Sequence, residues 1–200
     1  MVEGLPMCGR YQFTVDGCPE LEDILSDLLR RHPGMSWRGG EVYPTHSAPV
    51  LVEMGGELVP DLLCWGFPWP GRRPVVNARA ETLLERPMFR DAALHRRCVV
   101  PASAFYEWDS EKQKFLFRRE DGGVLYLAGV CAVRSGLDCF CIVTTSANDS
   151  MREVHDRMPL IFDRAQAKAW LRSADDIPQL LQTKPPQLYK ARADGQLQFW

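Results

Sequence analysis

VLYLAGVCAVRSGLDCFCIVTT, residues 124–145, decides the fold class. Its two apolar runs, Val124–Val133 and Cys139–Thr145, are rich in β-branched and aromatic side chains and flank a Ser135-Gly136 turn. A connection that short favours antiparallel strands. Working outward, Val50–Met54, Leu58–Cys64, Arg97–Trp108 and Lys114–Arg119 have the same character, with Gly55-Gly56 and Asp121-Gly122-Gly123 as turns. Helical spacing belongs to the two ends of the chain. Leu21, Ile24, Leu25, Leu28 and Leu29 form one apolar stripe that begins after Pro19 and stops at Pro33-Gly34. Arg164–Leu171 reads as a second helix with Asp163 as its N-cap, and a third includes Ile177–Gln182. The pattern predicts one α+β domain over residues 1–200, with mainly antiparallel strands in a curled, barrel-like sheet and helices outside it. Gly66–Pro74 reads as a structured loop, since Trp65, Phe67 and Trp69 give it apolar weight.

Composition excludes several classes. Two hundred residues, 46% hydrophobic and 25% charged, describe an ordinary globular domain with a real core. No apolar run approaches the ~20 residues needed to cross a bilayer, and Met1–Pro6 lacks the basic-then-apolar order of a secretory signal. A cytoplasmic protein with no membrane partner is expected. Seven cysteines cannot all pair, which suits thiols in a reducing compartment. Cys131, Cys139 and Cys141 have no second Cys or His pair at zinc-finger spacing and read as buried small hydrophobes, so no metal or other cofactor is expected. The net charge of −2 argues against a uniformly basic nucleic-acid binder. A local groove is still possible, because 19 of the 24 basic residues are arginine, whose fork grips phosphate oxygens in pairs. Codon bias in a genome rich in G and C explains the same excess equally well. Location tips the balance: Arg10, Arg79 and Arg157 each stand two residues after a chemically capable side chain, Cys8, Asn77 and His155.

Four blocks strand such side chains among apolar or backbone-shaping neighbours. They are Met7-Cys8-Gly9-Arg10-Tyr11, Asn77-Ala78-Arg79-Ala80-Glu81-Thr82, Phe105-Tyr106-Glu107-Trp108 and His155-Asp156-Arg157-Met158-Pro159. A thiol, an amide, a carboxyl and an imidazole are the parts of covalent catalysis. Each also has an ordinary reading. Glu107 is either a solvent-facing strand end or, flanked by aromatics, a desolvated carboxyl able to move protons near neutrality. Asn77 either satisfies a turn after Pro74-Val75-Val76 or donates to a developing oxygen charge. His155 is either an exposed loop histidine or the general acid or base that its near-neutral titration allows.

Together, in this order and with these flanks, the blocks resemble the SOS response-associated peptidase, or SRAP, family. Tyr43-Pro44-Thr45, Trp65-Gly66, Arg97-Cys98-Val99-Val100-Pro101 and Thr144-Thr145 add to the likeness, which fades beyond Trp170. Ala104 stands where the family commonly has glycine. The resemblance implies a monomeric protein of the DNA damage and SOS response that binds single-stranded DNA and cross-links to abasic sites. It further implies Cys8 as nucleophile, Asn77 as stabiliser of the sugar or Schiff-base intermediate, Glu107 as proton shuttle and His155 as the acid or base in ring opening. Arg10, Arg79 and Arg157 would hold phosphates, with Trp65, Trp69, Trp108 and Pro44 stacking on bases or shaping the groove.

Position matters at Cys8 as much as chemistry. An N-terminal cysteine carries an amine and a thiol on adjacent carbons, so an aldehyde can form a Schiff base and then accept the sulfur, closing a thiazolidine ring. An internal cysteine has only an amide nitrogen. The α-amine, with a reference pKa of about 7.7 to 8.0, needs little activation. The family's cysteine directly follows the initiator methionine, whereas here Met1–Pro6 precede Met7-Cys8. Translation starting at Met7, self-processing between Met7 and Cys8, or loss of the covalent step each fit, the first best. Two other classes stay open: a thiol peptidase using Cys8 and His155, and a non-catalytic reader of modified DNA.

Overall fold

The computed structural model describes residues 9–193. In chain order they form β1 (Tyr11–Phe13), α1 (Pro19–Arg31), β2 (Gly40–Val42), β3 (Ser47–Met54), β4 (Glu57–Trp65), β5 (Asn77–Arg79), a 3-10 turn (Ala80–Thr82), α2 (Pro87–His95), β6 (Arg97–Ala102), β7 (Ala104–Trp108), β8 (Lys114–Arg118), β9 (Leu125–Arg134), β10 (Leu137–Ser146), β11 (Arg157–Pro159), β12 (Ile161–Phe162), α3 (Arg164–Arg172), α4 (Ile177–Leu180) and β13 (Tyr189–Arg192). The hairpin expected at Val124–Thr145 is β9–β10, with Leu137 opposite Arg134 and Ile142 opposite Gly129.

β10 closes a barrel. It pairs antiparallel with β9 and, along part of its length, parallel with β4. β4 pairs with β3, β3 with β6 and β6 with β9, so five strands return on themselves. The parallel β4–β10 and β5–β10 contacts are exceptions to the antiparallel pairing that short turns favour; each joins strands far apart in sequence. Closure brings backbones close at Gly129, where an added Cβ would lie 2.7 Å from Cys98 Sγ and 3.3 Å from the Cys141 carbonyl. Only glycine fits there without movement.

The second sheet is open and antiparallel, in the order β13-β8-β7-β1-β2. The run Arg97–Trp108, expected as one strand, divides at Ser103 into β6 of the barrel and β7 of the open sheet. Ser103 turns the chain because its N–H donates to the Gln12 carbonyl and its hydroxyl oxygen stands between that carbonyl and the Thr14 N–H. The two sheets share one apolar core. Tyr11, Val42, Phe105 and Phe117 from the open sheet pack with Trp65, Leu127, Phe140 and Ile142 from the barrel. Phe105 stacks on Phe117 at 5.3 Å, and Tyr11 meets Trp65 at 5.1 Å. Each such buried ring contributes roughly 1.5–3 kcal/mol.

Helices cover the other side of the barrel. α1 buries Leu21 and Leu28, two members of the expected stripe. α3 starts at a capping box between Asp163 and Gln166 and buries Trp170, whose indole N–H is shared between the Cys98 and Gly129 carbonyls at 3.1 Å each. α4 is shorter than the Ile177–Gln182 expected. α2, which the sequence reading did not foresee, starts at Pro87 and buries Phe89, Ala92 and Ala93. No helix among the described residues is long and apolar enough to cross a membrane.

Candidate functional site

Cys8 lies outside the described residues, but the chain that follows it is well placed. β1 runs antiparallel to β7 with Tyr11 opposite Phe105, and the Tyr106 N–H donates to the Arg10 carbonyl at 3.0 Å. Continuing that register sets Gly9 opposite Glu107. Alternation along β7 turns Phe105 and Glu107 inward, towards the barrel, and Ala104, Tyr106 and Trp108 outward. Glu107 is 3% exposed and sits across from Phe115 of β8. It is therefore a carboxyl at the edge of the inter-sheet core rather than at a solvent-facing strand end.

Asn77 opens β5, a three-residue strand held parallel against Ile142, Val143 and Thr144 of β10. It does not serve a turn. Tyr11, Trp65 and Val76 connect this strand to β1, because the Trp65 indole N–H donates to the Val76 carbonyl at 3.1 Å while the ring packs on Tyr11. His155 follows a helical turn whose Met151 and Val154 enter the same core cluster as Tyr11, Val76 and Phe105. Asn77, Glu107, His155 and the start of β1 thus stand on segments that share one apolar foundation. His155 Nδ1 accepts from the Arg157 N–H at 3.0 Å in the neutral ring, and the Asp156 carboxylate lies 3.0 Å from the same nitrogen.

The arginines fall into two neighbourhoods. Arg157, with a side chain 13% exposed, makes a two-pronged pair with Glu81, at 2.5 and 2.8 Å, and also donates to the Thr144 carbonyl. Arg79 is exposed, lies opposite Thr144 in register and adds to the positive field at Glu81. The Arg157 fork holds the Glu81 carboxyl below the usual carboxylate range against the effect of burial. Arg10 lies on the outer side of the open sheet, over the rings of Tyr43 at 4.4 Å and Trp108 at 5.3 Å, and pairs with Glu41 at 3.2 Å. Lys114 joins the same carboxylate at 3.2 Å and covers the Tyr106 ring at 3.8 Å. Burial works against the Glu41 charge, yet hydrogen bonds from Tyr43 and Lys114 keep its pKa below the usual range. Burial, with Glu41 nearby, pushes the Tyr106 hydroxyl up to about 12.

The tryptophans divide as well. Trp65 is fully buried and offers no face to a base, so of its two expected roles, stacking or shaping the groove, only the second fits. Trp108 is half-buried beside Arg10, and Pro44 is half-buried next to Tyr43. Trp69 is 41% exposed, with Arg72 over its ring at 5.4 Å. It borders a cavity of about 400 Å³ whose walls include Asn77, Arg79, Thr82 and Arg86. Arg86, Glu41, Lys114 and Tyr106 were missed by the sequence reading. Arg86 follows the Asn77–Thr82 block closely enough to have been found, but Lys114 reaches the site only through its register against Trp108.

Cys139 and Cys141 are buried and Cys131 is half-buried. Burial and the neighbouring Cys64 push the Cys139 thiol up to about 11, and the Cys141 thiol donates to the Val75 carbonyl at 2.8 Å. Among the described residues no group of three or more His, Cys, Asp or Glu could hold a metal ion.

Comparison with known proteins gives a consistent outcome. The family model described as SOS response associated peptidase (SRAP) matches residues 7–194, beyond the Trp170 after which the likeness was expected to fade. The abasic site processing protein YoaM of Bacillus subtilis is 30% identical over 88% of this chain and 84% of its own length. The abasic site processing protein YedK of Escherichia coli is 29% identical over 83% and 80%. A Bordetella bronchiseptica crystal structure superposes with a TM-score of 0.73 at 23% identity, covering 94% of this chain and all of the other, which supports the shared fold.

Proposed function

The chain belongs to the SOS response associated peptidase (SRAP) family, and on that footing we propose that it processes abasic sites in damaged DNA by binding the single strand and cross-linking to the lesion through Cys8. The observation that carries the reading is the β1–β7 pairing, whose register sets Gly9, the first described residue, opposite Glu107, while the segments that bear Asn77 and His155 share the same apolar base.

The chemistry follows from a free amine at Cys8. The open-chain aldehyde of the abasic deoxyribose condenses with the α-amine, releasing water and leaving a Schiff base. The thiolate then adds to the imine carbon, the nitrogen gains a proton, and the ring closes as a thiazolidine. Glu107 relays protons among amine, water and imine. His155 assists opening of the sugar ring, passing a proton between O4′ and the anomeric hydroxyl. Asn77 donates to the oxygen charge that develops. Arg79, Arg157 and Arg86 flank the strand's phosphates on one side and Arg10 on another, while Trp69 and Trp108 meet bases.

The test compares protein whose first residue is Cys8 with protein carrying residues 1–7 ahead of it, each mixed with single-stranded DNA containing one abasic site. Only the first is expected to yield an adduct that survives denaturation. Equal cross-linking by both forms would rule out the aminothiol mechanism. Hydrolysis of a peptide in trans by Cys8 protein, with no adduct, would favour a thiol peptidase instead.

A further inference from the structure

The cations of the proposed site are already engaged. The carboxylate of Glu81 spans the outer edge of the Arg157 guanidinium with both oxygens, at 2.5 and 2.8 Å, and lies within the field of Arg79. Glu41 holds Arg10 and Lys114, each at 3.2 Å. A carboxylate with two oxygens on a guanidinium fork has the geometry that a phosphate uses. We propose that Glu81 and Glu41 are built-in phosphate mimics, which mask the cations of the site and hold down its affinity for undamaged single-stranded DNA. This proposal rests on the DNA-binding reading above and deepens it.

The physical case has three parts. First, each glutamate stands against two cations, so neutralising it would release the charge of both towards an incoming strand. Second, neither pair is fully satisfied: the Nε of Arg157 and the Nε of Arg10 are buried with no acceptor among the described residues. A guanidinium with a stranded donor is held less firmly than one whose donors are all paired, so an exchange of carboxylate for phosphate is feasible. Third, Glu81 is 47% exposed in its side chain, so it can swing to solvent when a phosphate takes its place. A strand that displaces a carboxylate still releases its own counterions, but the freed carboxylate gathers a cation of its own. Masking therefore lowers both the affinity and its dependence on salt.

The consequence is selectivity by residence. Undamaged strand meets a site whose charge is largely spent and leaves quickly, whereas a strand with an aldehyde is retained by the covalent bond. A chain with 26 acidic and 24 basic residues can then survey single strands without coating them.

The test is a fluorescence anisotropy titration of a labelled, undamaged oligothymidine across a salt series, using protein that begins at Cys8. Glu81→Gln and Glu41→Gln are compared with the unmodified protein and with Glu153→Gln, which removes a carboxylate paired to Lys190 on another part of the surface. Glutamine keeps the size and the hydrogen-bonding reach, and unchanged thermal unfolding midpoints establish that each variant folds. Glu81→Gln and Glu41→Gln are each expected to tighten binding about three- to ten-fold and to steepen the salt slope by up to about 0.7 per phosphate gained, with Glu153→Gln unchanged. Should Glu41→Gln lose stability, Glu81→Gln alone decides. Weaker or unchanged binding by Glu81→Gln, with the unmodified protein binding normally, would show that the carboxylate positions Arg157 and would overturn the masking proposal alone. A flat salt response in every protein, the unmodified one included, would overturn it together with the DNA-binding reading.

Discussion

The closed barrel and the open sheet differ in what they bury. Interior positions of β3, β4, β6, β9 and β10 are aliphatic, aromatic or thiol side chains, tight enough that Gly129 has no room for a Cβ. Of the three polar or charged residues buried among those described, Gln12 and Glu107 lie in the open sheet, and Thr144 lies on β10 where β5 and β11 meet it. Burying a polar or charged group needs hydrogen bonds or pairing around it and apolar packing beyond them. The barrel supplies that packing through the shared core; of the candidate residues, Glu107 stands on the open sheet, whereas Asn77 on β5 and His155 ahead of β11 border β10 of the barrel. Two predictions break this division if they fail, and a third sharpens it.

The largest effect is expected at the joint. Trp65 belongs to the barrel but packs on Tyr11 of β1 and caps the Val76 carbonyl. Trp65→Ala removes a fully buried indole and one of the two donors to that carbonyl, the other being the Ile142 N–H, at a cost of about 3–5 kcal/mol. The loss should appear as one cooperative shift in a urea denaturation curve, since both sheets share the core. Two separate transitions, or a loss below about 1 kcal/mol, would show that the open sheet stands without the barrel.

Glu107→Gln should produce the opposite pattern. It keeps the shape of a residue that is 3% exposed and removes its charge. The unfolding midpoint is expected to change little, while adduct formation slows about ten-fold or more. Affinity for undamaged single strands should barely change. Equal losses in rate, affinity and stability would make Glu107 a structural residue.

How much of this was legible depends on how local each determinant is. α1 and α3 were readable because an apolar stripe, Pro19 and Asp163 all act within a turn or two of the backbone. The barrel-like sheet was readable from the long runs that became β3, β4, β9 and β10. The break at Ser103 was not, since alternation continues across it and the residues that turn the chain, Gln12 and Thr14, lie about ninety positions away. Trp65 and Trp69 look alike in sequence and have opposite fates. Between them Gly66 adopts a φ of 114°, and a side chain there would press on Pro74 and Val76, so the loop folds back and leaves Trp69 outside. The four blocks were found because each is a local pattern. The carboxylates that hold their arginines were not, because Glu41 and Glu81 acquire those partners only through strand pairing.

The smallest predicted effect concerns those arginines and distinguishes a groove from a general surface charge. Arg79 is exposed, borders the cavity beside Asn77 and, among the described residues, is restrained by the shared field of Glu81, so its charge is the most available of the three. Arg118, at the end of β8, lies over the ring of Tyr189, and Arg119 is tied to Asp121. If Arg79 contacts a phosphate, Arg79→Ala should weaken single-strand binding a few-fold at any sequence and flatten the salt slope by about 0.7. Arg118→Ala and Arg119→Ala, whose charges are engaged by Tyr189 and Asp121, should leave both quantities nearly unchanged, since exposed charges more than about 10 Å from a phosphate are largely screened at moderate salt. Equal effects from all three variants would mean that the chain attracts DNA through diffuse charge rather than through a groove that Arg79 lines beside Asn77.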